Sequence, residues 1–298
     1  MTQVHRNIRG LVLAMAMLSI TACGVTVTPS SEPTTPSTAA TPECWHSPVT
    51  GTCASQDAPV LVVKIDDVYE ARPQFNLNAA DIVLVEPVEG GLTRLFAVYN
   101  SSLPATVGPI RSARITDTDL APMLGNPLFA YSGSQSKLVP YLKATRMQLV
   151  GAPQGGTGYR RLSDRSAPHN YVADTADLLT RVDDPASARI ASSEYWAVSK
   201  RPTTAGAPVT KVTVRWPSAE KSYIWDSVNA RWAMDVYTSR LMTQTDDAGS
   251  TERATATNVV IMETDLQDSE FGDKFGARCL PPILRCANRS SPKRTVSG

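Results

Sequence analysis

Residues 80–100 read ADIVLVEPVEGGLTRLFAVYN, two apolar, β-branched runs joined by Glu-Gly-Gly. Short runs rich in Val, Ile, Leu and Phe form strands. The paired glycines, Gly90 and Gly91, permit the tight reversal that lays one strand against the next. The two runs are therefore read as adjacent strands, and PVLVVKI at residues 59–65 supplies a third strand of the same texture. Further on, Thr116 or Asp117 can cap a helix running to about Leu124. PLFAYSG then reads as a strand, and SQSKLVPYLKATR as a helix that Pro140 kinks or delays. TADLLTRV is a further short helix. Strands and helices alternate to about Val182, which predicts a mixed sheet with helices packed on it.

From about Ala191 the texture changes. TKVTVRW, KSYIWDSVNARWAMD and ATNVVIMET alternate β-branched or aromatic residues with polar ones, as half-buried antiparallel strands do. Trp216, Trp225 and Trp232 are read as strand packing rather than as a sugar platform. The predicted class is α+β, with an N-terminal mixed α/β sheet domain over residues 56–190 and a smaller, mainly antiparallel β domain over 191–273. Residues 274–298 hold two Cys, three Pro and six scattered basic residues with no acid and no sustained period, so they are expected to be disordered or frameshifted.

The start of the chain is expected to lie outside the fold. Arg6 and Arg9 precede the apolar run GLVLAMAMLSI, whose eleven residues fall short of the roughly 20 that a helix needs to cross a bilayer of about 30 Å. Residues 1–23 therefore read as a signal peptide. Ile20, Thr21 and Ala22 before Cys23 resemble a bacterial lipobox, which implies diacylglyceryl attachment to Cys23 and a membrane anchor on the extracytoplasmic face. Thirteen of the seventeen residues from 26 to 42 are Ser, Thr or Pro, too polar to offset the entropy of ordering. Residues 24–55 are thus a tether ending in CWHSPVTGTC, where Cys44 and Cys53 can close a small disulfide loop in an oxidising compartment. Cys279 and Cys286 remain in the tail. The spacing around His46 matches no common metal knuckle, so no metal is expected. A formal net charge of +1 excludes a chain whose main work is wrapping nucleic acid.

Two arginines stand three residues apart in VGPIRSARITDTD. If a helix begins near Thr116, its free N–H groups lie just beyond Arg114, and two guanidinium forks beside them make a clamp for phosphate or carboxylate. Arg72 and Arg94 converge on the same place if their strands are neighbours. The competing structural reading pairs these arginines with Asp66, Glu70, Glu86 and Glu89 as interior salt bridges. His169, in RSAPHNYV beside Asn170, sits in a loop between turn residues and is a candidate general acid/base. Asp66, Asp67, Glu86 and Glu89 could instead form a carboxylate pair or a hard-cation site. APQGGTG lacks the Lys-Ser/Thr ending of a phosphate loop and reads as a flap near the site. No Gly-x-Ser-x-Gly elbow or His-Glu-x-x-His motif is present, which counts against the commonest esterases and metalloproteases. No cofactor is implied.

The runs VKIDD, ARPQFNLNAADIVLVEPVEGGLTR, VGPIRSAR and RSAPHNYV, in this order, resemble the YerB-like family of bacterial lipoproteins, whose molecular function is unassigned. The resemblance covers roughly residues 60–263 and implies an N-terminal α and β domain followed by a smaller β domain, tethered outside the cell. It supplies no catalytic mechanism. The chain departs from the family pattern at Asp67, where Asn is usual, at Ile110 and at Ser134. It also lacks the Gly-rich hairpin expected after the NVV run. Two functions stand at this point. The first is binding of an anionic cell-envelope ligand through Arg72, Arg94, Arg111, Arg114, His169 and Asn170. The second is a hydrolase acting on a phosphorylated or acidic wall polymer, with His169 as acid/base.

Overall fold

β1 (Leu61–Asp66) is buried along its whole length, which a strand of this apolar texture achieves in the middle of a sheet covered on both faces. The computed structural model puts it there. The described residues are 44–53 except 45, 48 and 52, then 58–190, 206–246, 248–262, 264–266, 269–271 and 282–283. The expected leader, Cys23, most of the tether, Cys279 and Cys286 lie outside them. All of the described residues belong to one compact unit beginning at Cys44. β2 (Gln74–Phe75) follows, and then β3 (Ile82–Pro87) and β4 (Thr93–Tyr99) form the antiparallel hairpin. β4 lies antiparallel to β1, while β6 (Leu128–Ala130) runs parallel to β1 and β7 (Gln148–Leu149) parallel to β6. The resulting order is β3-β4-β1-β6-β7, a mixed sheet.

Alternation along β1 separates two cores. Leu61, Val63 and Ile65 pack with Leu95, Ala97 and Tyr99 on one face. Val62 packs with Phe96, Val98 and Phe129 on the other, beneath Leu120, Leu124, Leu138 and Leu142. Those last four come from α1 (Asp117–Leu120), the 3-10 turn that continues it over Ala121–Leu124, and α2 (Val139–Ala144) with the turn before it. The predicted helix to Leu124 is thus a single α turn and a 3-10 turn, because Pro122 cannot extend the α hydrogen bonding. Pro140 delays α2 as expected, since it stands in the first turn, where its missing N–H has no partner to lose. α3 (Thr175–Leu179) is capped by the Asp174 side chain, which accepts from the Asp177 N–H.

β5 (Thr106–Val107), β8 (Tyr159–Arg161) and β9 (Tyr171–Asp174) make a small antiparallel sheet. The later half of the chain is built from β10 (Lys211–Trp216), β11 (Ala219–Asp226), β12 (Arg231–Val236) and β13 (Ser239–Arg240), consecutive antiparallel neighbours. Trp225 and Trp232 face each other across β11 and β12, ring centroids 5.4 Å apart. β14 (Met242–Gln244) pairs antiparallel with β15 (Thr251–Arg253) and parallel with β2, which stitches the later strands onto the earlier ones. The turn between β10 and β11 also meets the β3–β4 turn: Gly90 and Gly91 adopt φ of +69° and +70°, and a Cβ on Gly91 would lie 2.6 Å from Pro217 Cβ. Glycine is therefore required at position 91 for both conformation and space.

Most of one predicted strand is not formed among the described residues. Of ATNVVIMET, residues 256–264, only Ala256 joins a ladder, as the end of β16 (Thr255–Ala256), with Val260, Ile261 and Met262 exposed beyond it. β16 runs antiparallel to β12 with Ala256 opposite Trp232, and β12 begins one residue earlier at Arg231. The chain runs off the end of its partner, so its alternating pattern finds no ladder to join. β17 (Asp265–Leu266) pairs with β18 (Pro282–Ile283), the two described residues of the tail. Cys44 and Cys53 are joined as a disulfide, Cα atoms 5.6 Å apart. Among the described residues no helix is long and apolar enough to cross a membrane.

Candidate functional site

The strand register brings charge together at one end of the sheet. Arg94 lies opposite Asp66 on one side and opposite Glu86 on the other, so the three side chains share a face of β1, β4 and β3. Lys64, two residues before Asp66, is on the same face and fully buried. Its Nζ donates to Glu86 Oε2 and to Asp117 Oδ1, each at 2.7 Å. Thr116 Oγ1 donates to the same Glu86 oxygen at 2.7 Å. Burial holds the Glu86 carboxyl above its ordinary range, with Lys64 opposing that shift.

The arginine segment is threaded between the ends of β1 and β6. Arg111 N–H donates to Lys64 O at 2.8 Å, Ser132 N–H to Arg111 O at 2.9 Å, and Ala113 N–H to Gly133 O at 2.8 Å. Residues 111–113 thus continue the sheet edge to edge, and the alternation of their side chains throws Arg111 and Ala113 to opposite positions from Ser112. The expected contribution of a helix N-terminus is not there. α1 has four residues, Thr116 makes no side-chain cap, and the Arg114 N–H is taken by Asp117 Oδ2 at 2.6 Å. The anion chemistry of this place therefore belongs to side chains.

Arg94, Arg111 and Arg114 line one cavity of about 580 Å³, together with Asp66, Glu89 and a wall of apolar residues. Arg114 Nε stands 2.6 and 2.9 Å from the two Glu89 oxygens. Arg111 Nε is 3.3 Å from Asp66 Oδ2 without a hydrogen bond. Arg94 is 7% exposed and has no carboxylate within 4.0 Å among the described residues. Its Nη1 donates to Ser112 O at 2.8 Å, and the rest of its guanidinium has no hydrogen-bond partner among them. Burial, and then the neighbouring charges of Arg114 and Arg111, push Arg94 down to about 10. It is still a cation at neutral pH, held where a cation is disfavoured.

His169 Nδ1 lies 2.8 Å from the same Asp66 oxygen that faces Arg111. Because a carboxylate accepts, Nδ1 is the donor of this pair. The His169 loop is pinned by Arg165, which donates from Nη1 to Ala71 O and Pro73 O at 3.0 and 2.9 Å and from Nη2 to Gln244 Oε1 at 2.9 Å. The peptide bonds before Pro73, Pro109 and Pro168 are cis.

The remaining sequence-derived residues are dispersed. Arg72 donates from Nη2 to Asp67 O at 2.6 Å and lines a second cavity of about 530 Å³ with His169, Arg165 and Leu241. Asn170 is engaged by Arg161 Nη1 at 2.8 Å and by Leu162 O at 2.8 Å, and lines neither cavity. The APQGGTG loop also lines neither; Arg181 fastens its base by donating to Val150 O and Gly151 O at 2.6 and 3.0 Å. The four carboxylates do not pair with one another: each has its own cation, Asp66 with Arg111, Asp67 with Lys221, Glu86 with Lys64, Glu89 with Arg114. No group of three or more metal-ligating side chains occurs among the described residues. Sequence reasoning overlooked Lys64, Arg165 and Lys221. RSAPHNYV opens on Arg165, which was the available signal for that residue.

Residues 48–188 match the N-terminal domain of the family described as protein of unknown function DUF3048. The chain carries a DUF3048 domain. Over 72 residues it is 44% identical to a relative from Bacillus subtilis strain 168 named "Putative lipoprotein YerB", a stretch that is 23% of this chain and 22% of the relative. The chain thus aligns with less than a quarter of that protein's length. The crystal structure of YerB from Bacillus subtilis superposes with a TM-score of 0.61 at 21% identity, covering 79% of each chain. At that identity the likeness establishes the fold. The DUF3048 domain takes in all of the cavity's charged residues, from Asp66 to Arg114, and His169 as well.

Proposed function

We propose that the protein is a lipoprotein anchored through Cys23 on the extracytoplasmic face of the membrane, and that the Arg94–Arg111–Arg114 cavity binds an anionic ligand of the cell envelope. The carrying observation is Arg94, a buried guanidinium crowded by two others and matched by no carboxylate of its own. The charged side chains that line the cavity are three cations and two carboxylates, Arg94 is the cation with no carboxylate in contact, and a buried charge without a partner is costly. A bound anion supplies that partner. Arg72 and Asn170, which point elsewhere, are outside this binding set, and Asp66 joins it by orienting Arg111 and His169.

Isothermal titration with ethyl phosphate and with succinate tests this. Arg94→Gln and Arg111→Gln should each weaken binding by roughly 10- to 100-fold, the worth of a charge-assisted hydrogen bond of about 1.5–3 kcal/mol. Arg94→Gln should leave the thermal midpoint equal or higher, because it relieves crowding. No binding of either anion by the wild-type protein, or binding indifferent to both substitutions, would overturn the proposal. The 2.8 Å contact from Asp66 to His169 favours hydrolysis as the second reading, with His169 Nε2 as base. Loss of turnover on a wall phosphodiester in His169→Ala, with anion affinity retained, would select it.

A further inference from the structure

We propose that the ligand of the arginine cavity is an amphiphile: a phosphate or carboxylate head joined to an aliphatic chain. The inference rests on the anion-binding reading above and adds what the rest of the ligand must be. The cavity lining is mixed. Arg94 and Arg111, at the end of β1, and the Arg114–Glu89 pair supply its charge, and Val88, Leu92, Ile115, Leu138 and Phe271 supply a large apolar share of the rest, beside a few neutral polar side chains. Leu138 and Phe271 belong to the core cluster above the sheet, so this wall is the exposed margin of a packed apolar layer. Leu92, 39% exposed, stands at the rim. A volume of about 580 Å³ falls in the range of roughly 300–1,000 Å³ that takes drug-sized ligands. An ion the size of phosphate would occupy the charged part and leave the apolar wall wet.

The test is titration of the full chain with ethyl, butyl, hexyl and octyl phosphate, each below its micellar concentration, and with hexyltrimethylammonium as the cationic counterpart. Affinity should climb with chain length by up to roughly 4-fold per methylene, the equivalent of about 0.8 kcal/mol per buried CH₂. The rise should stop once the wall is covered. Leu92→Ser, at an exposed position that folding tolerates, should flatten the climb; Arg94→Gln should lower the whole series in parallel. A thermal melt of each variant confirms that it is folded. Equal affinity for ethyl and octyl phosphate would overturn the amphiphile and leave the anion site standing. Binding of hexyltrimethylammonium as tight as that of hexyl phosphate would overturn the charged head. Failure of every phosphate to bind would overturn both readings.

Discussion

Lys64 is the least expected residue of the site, an ammonium with no exposed surface in the middle strand of the sheet. It is tolerated because Glu86 and Asp117 both accept from it, and removing one member of such a group costs about 3–5 kcal/mol. Three charges of which two are negative cannot all be comfortable in a dry interior, and burial lifts the Glu86 carboxyl above its ordinary value of 4.5. The folded state therefore holds the Glu86 proton more tightly than the unfolded chain does. Stability from this source is complete below the unfolded value of 4.5 and is lost as pH rises through the raised folded one. Glu86→Gln keeps an acceptor for Lys64 and Thr116 and cannot titrate. Urea unfolding of both proteins from mild acid to neutrality should show the wild type losing stability relative to Glu86→Gln as pH rises. A difference between them that stays flat across this range would mean that Glu86 ionises as it would in water.

At the scale of elements, Asp67 ties the sheet that ends in the arginine site to the strands of the second half. Lys221 of β11, 154 residues away and also buried, donates to Asp67 Oδ1 at 2.8 Å, and Thr93 Oγ1 donates to Oδ2 at 2.5 Å. The buried Lys221 gives a reason for an acid at position 67. Asp67→Asn strands the ammonium without a counter-charge and should cost about 3–5 kcal/mol in chemical denaturation. Lys221→Met should cost less, because Asp67 keeps Thr93 and has Arg72 Nη2 at 3.8 Å. The double substitution should recover part of the Asp67→Asn loss; strictly additive losses would show that the two side chains do not interact. The central strands could be read from sequence because their signal is local: β1, β3 and β4 are apolar runs, and Gly90 and Gly91 announce their turn. Arg111 and Arg114 stood out for the same reason. Lys64 and Lys221 could not be read, since a lysine in a strand takes its meaning from carboxylates that lie 22, 53 and 154 residues off. The NVVIMET run misled in the opposite direction, its alternation being sound but its partner β12 too short. Arg72 was grouped with the site on the condition that its strand lay beside that of Arg94, and only the fold shows Asp67 O drawing it aside.

For the molecule as a whole, the cavity has to be considered with the segment that precedes the fold. An amphiphilic ligand is found at a membrane surface, and the proposed anchor at Cys23 would keep the protein there. The stretch between Cys23 and Cys44 contains about 20 residues, rich in Ser, Thr and Pro. The cavity would then sample the zone just above the bilayer rather than the bulk. Anchoring acts on encounter, raising the local concentration of membrane-borne ligand, and leaves the intrinsic affinity of the site alone. Two measurements on Cys23→Ala separate these effects. Fractionation should move the protein out of the membrane pellet, and mass spectrometry of the wild type should find a diacylated Cys23 as the mature N-terminus. Titration of the purified Cys23→Ala protein with octyl phosphate should match the wild type within error, since no residue of the cavity is touched. A wild-type protein whose mature N-terminus lies elsewhere and carries no lipid would refute the anchor. Membrane association that persists in Cys23→Ala, and is abolished by Arg94→Gln, would mean that the cavity itself holds the protein to lipid.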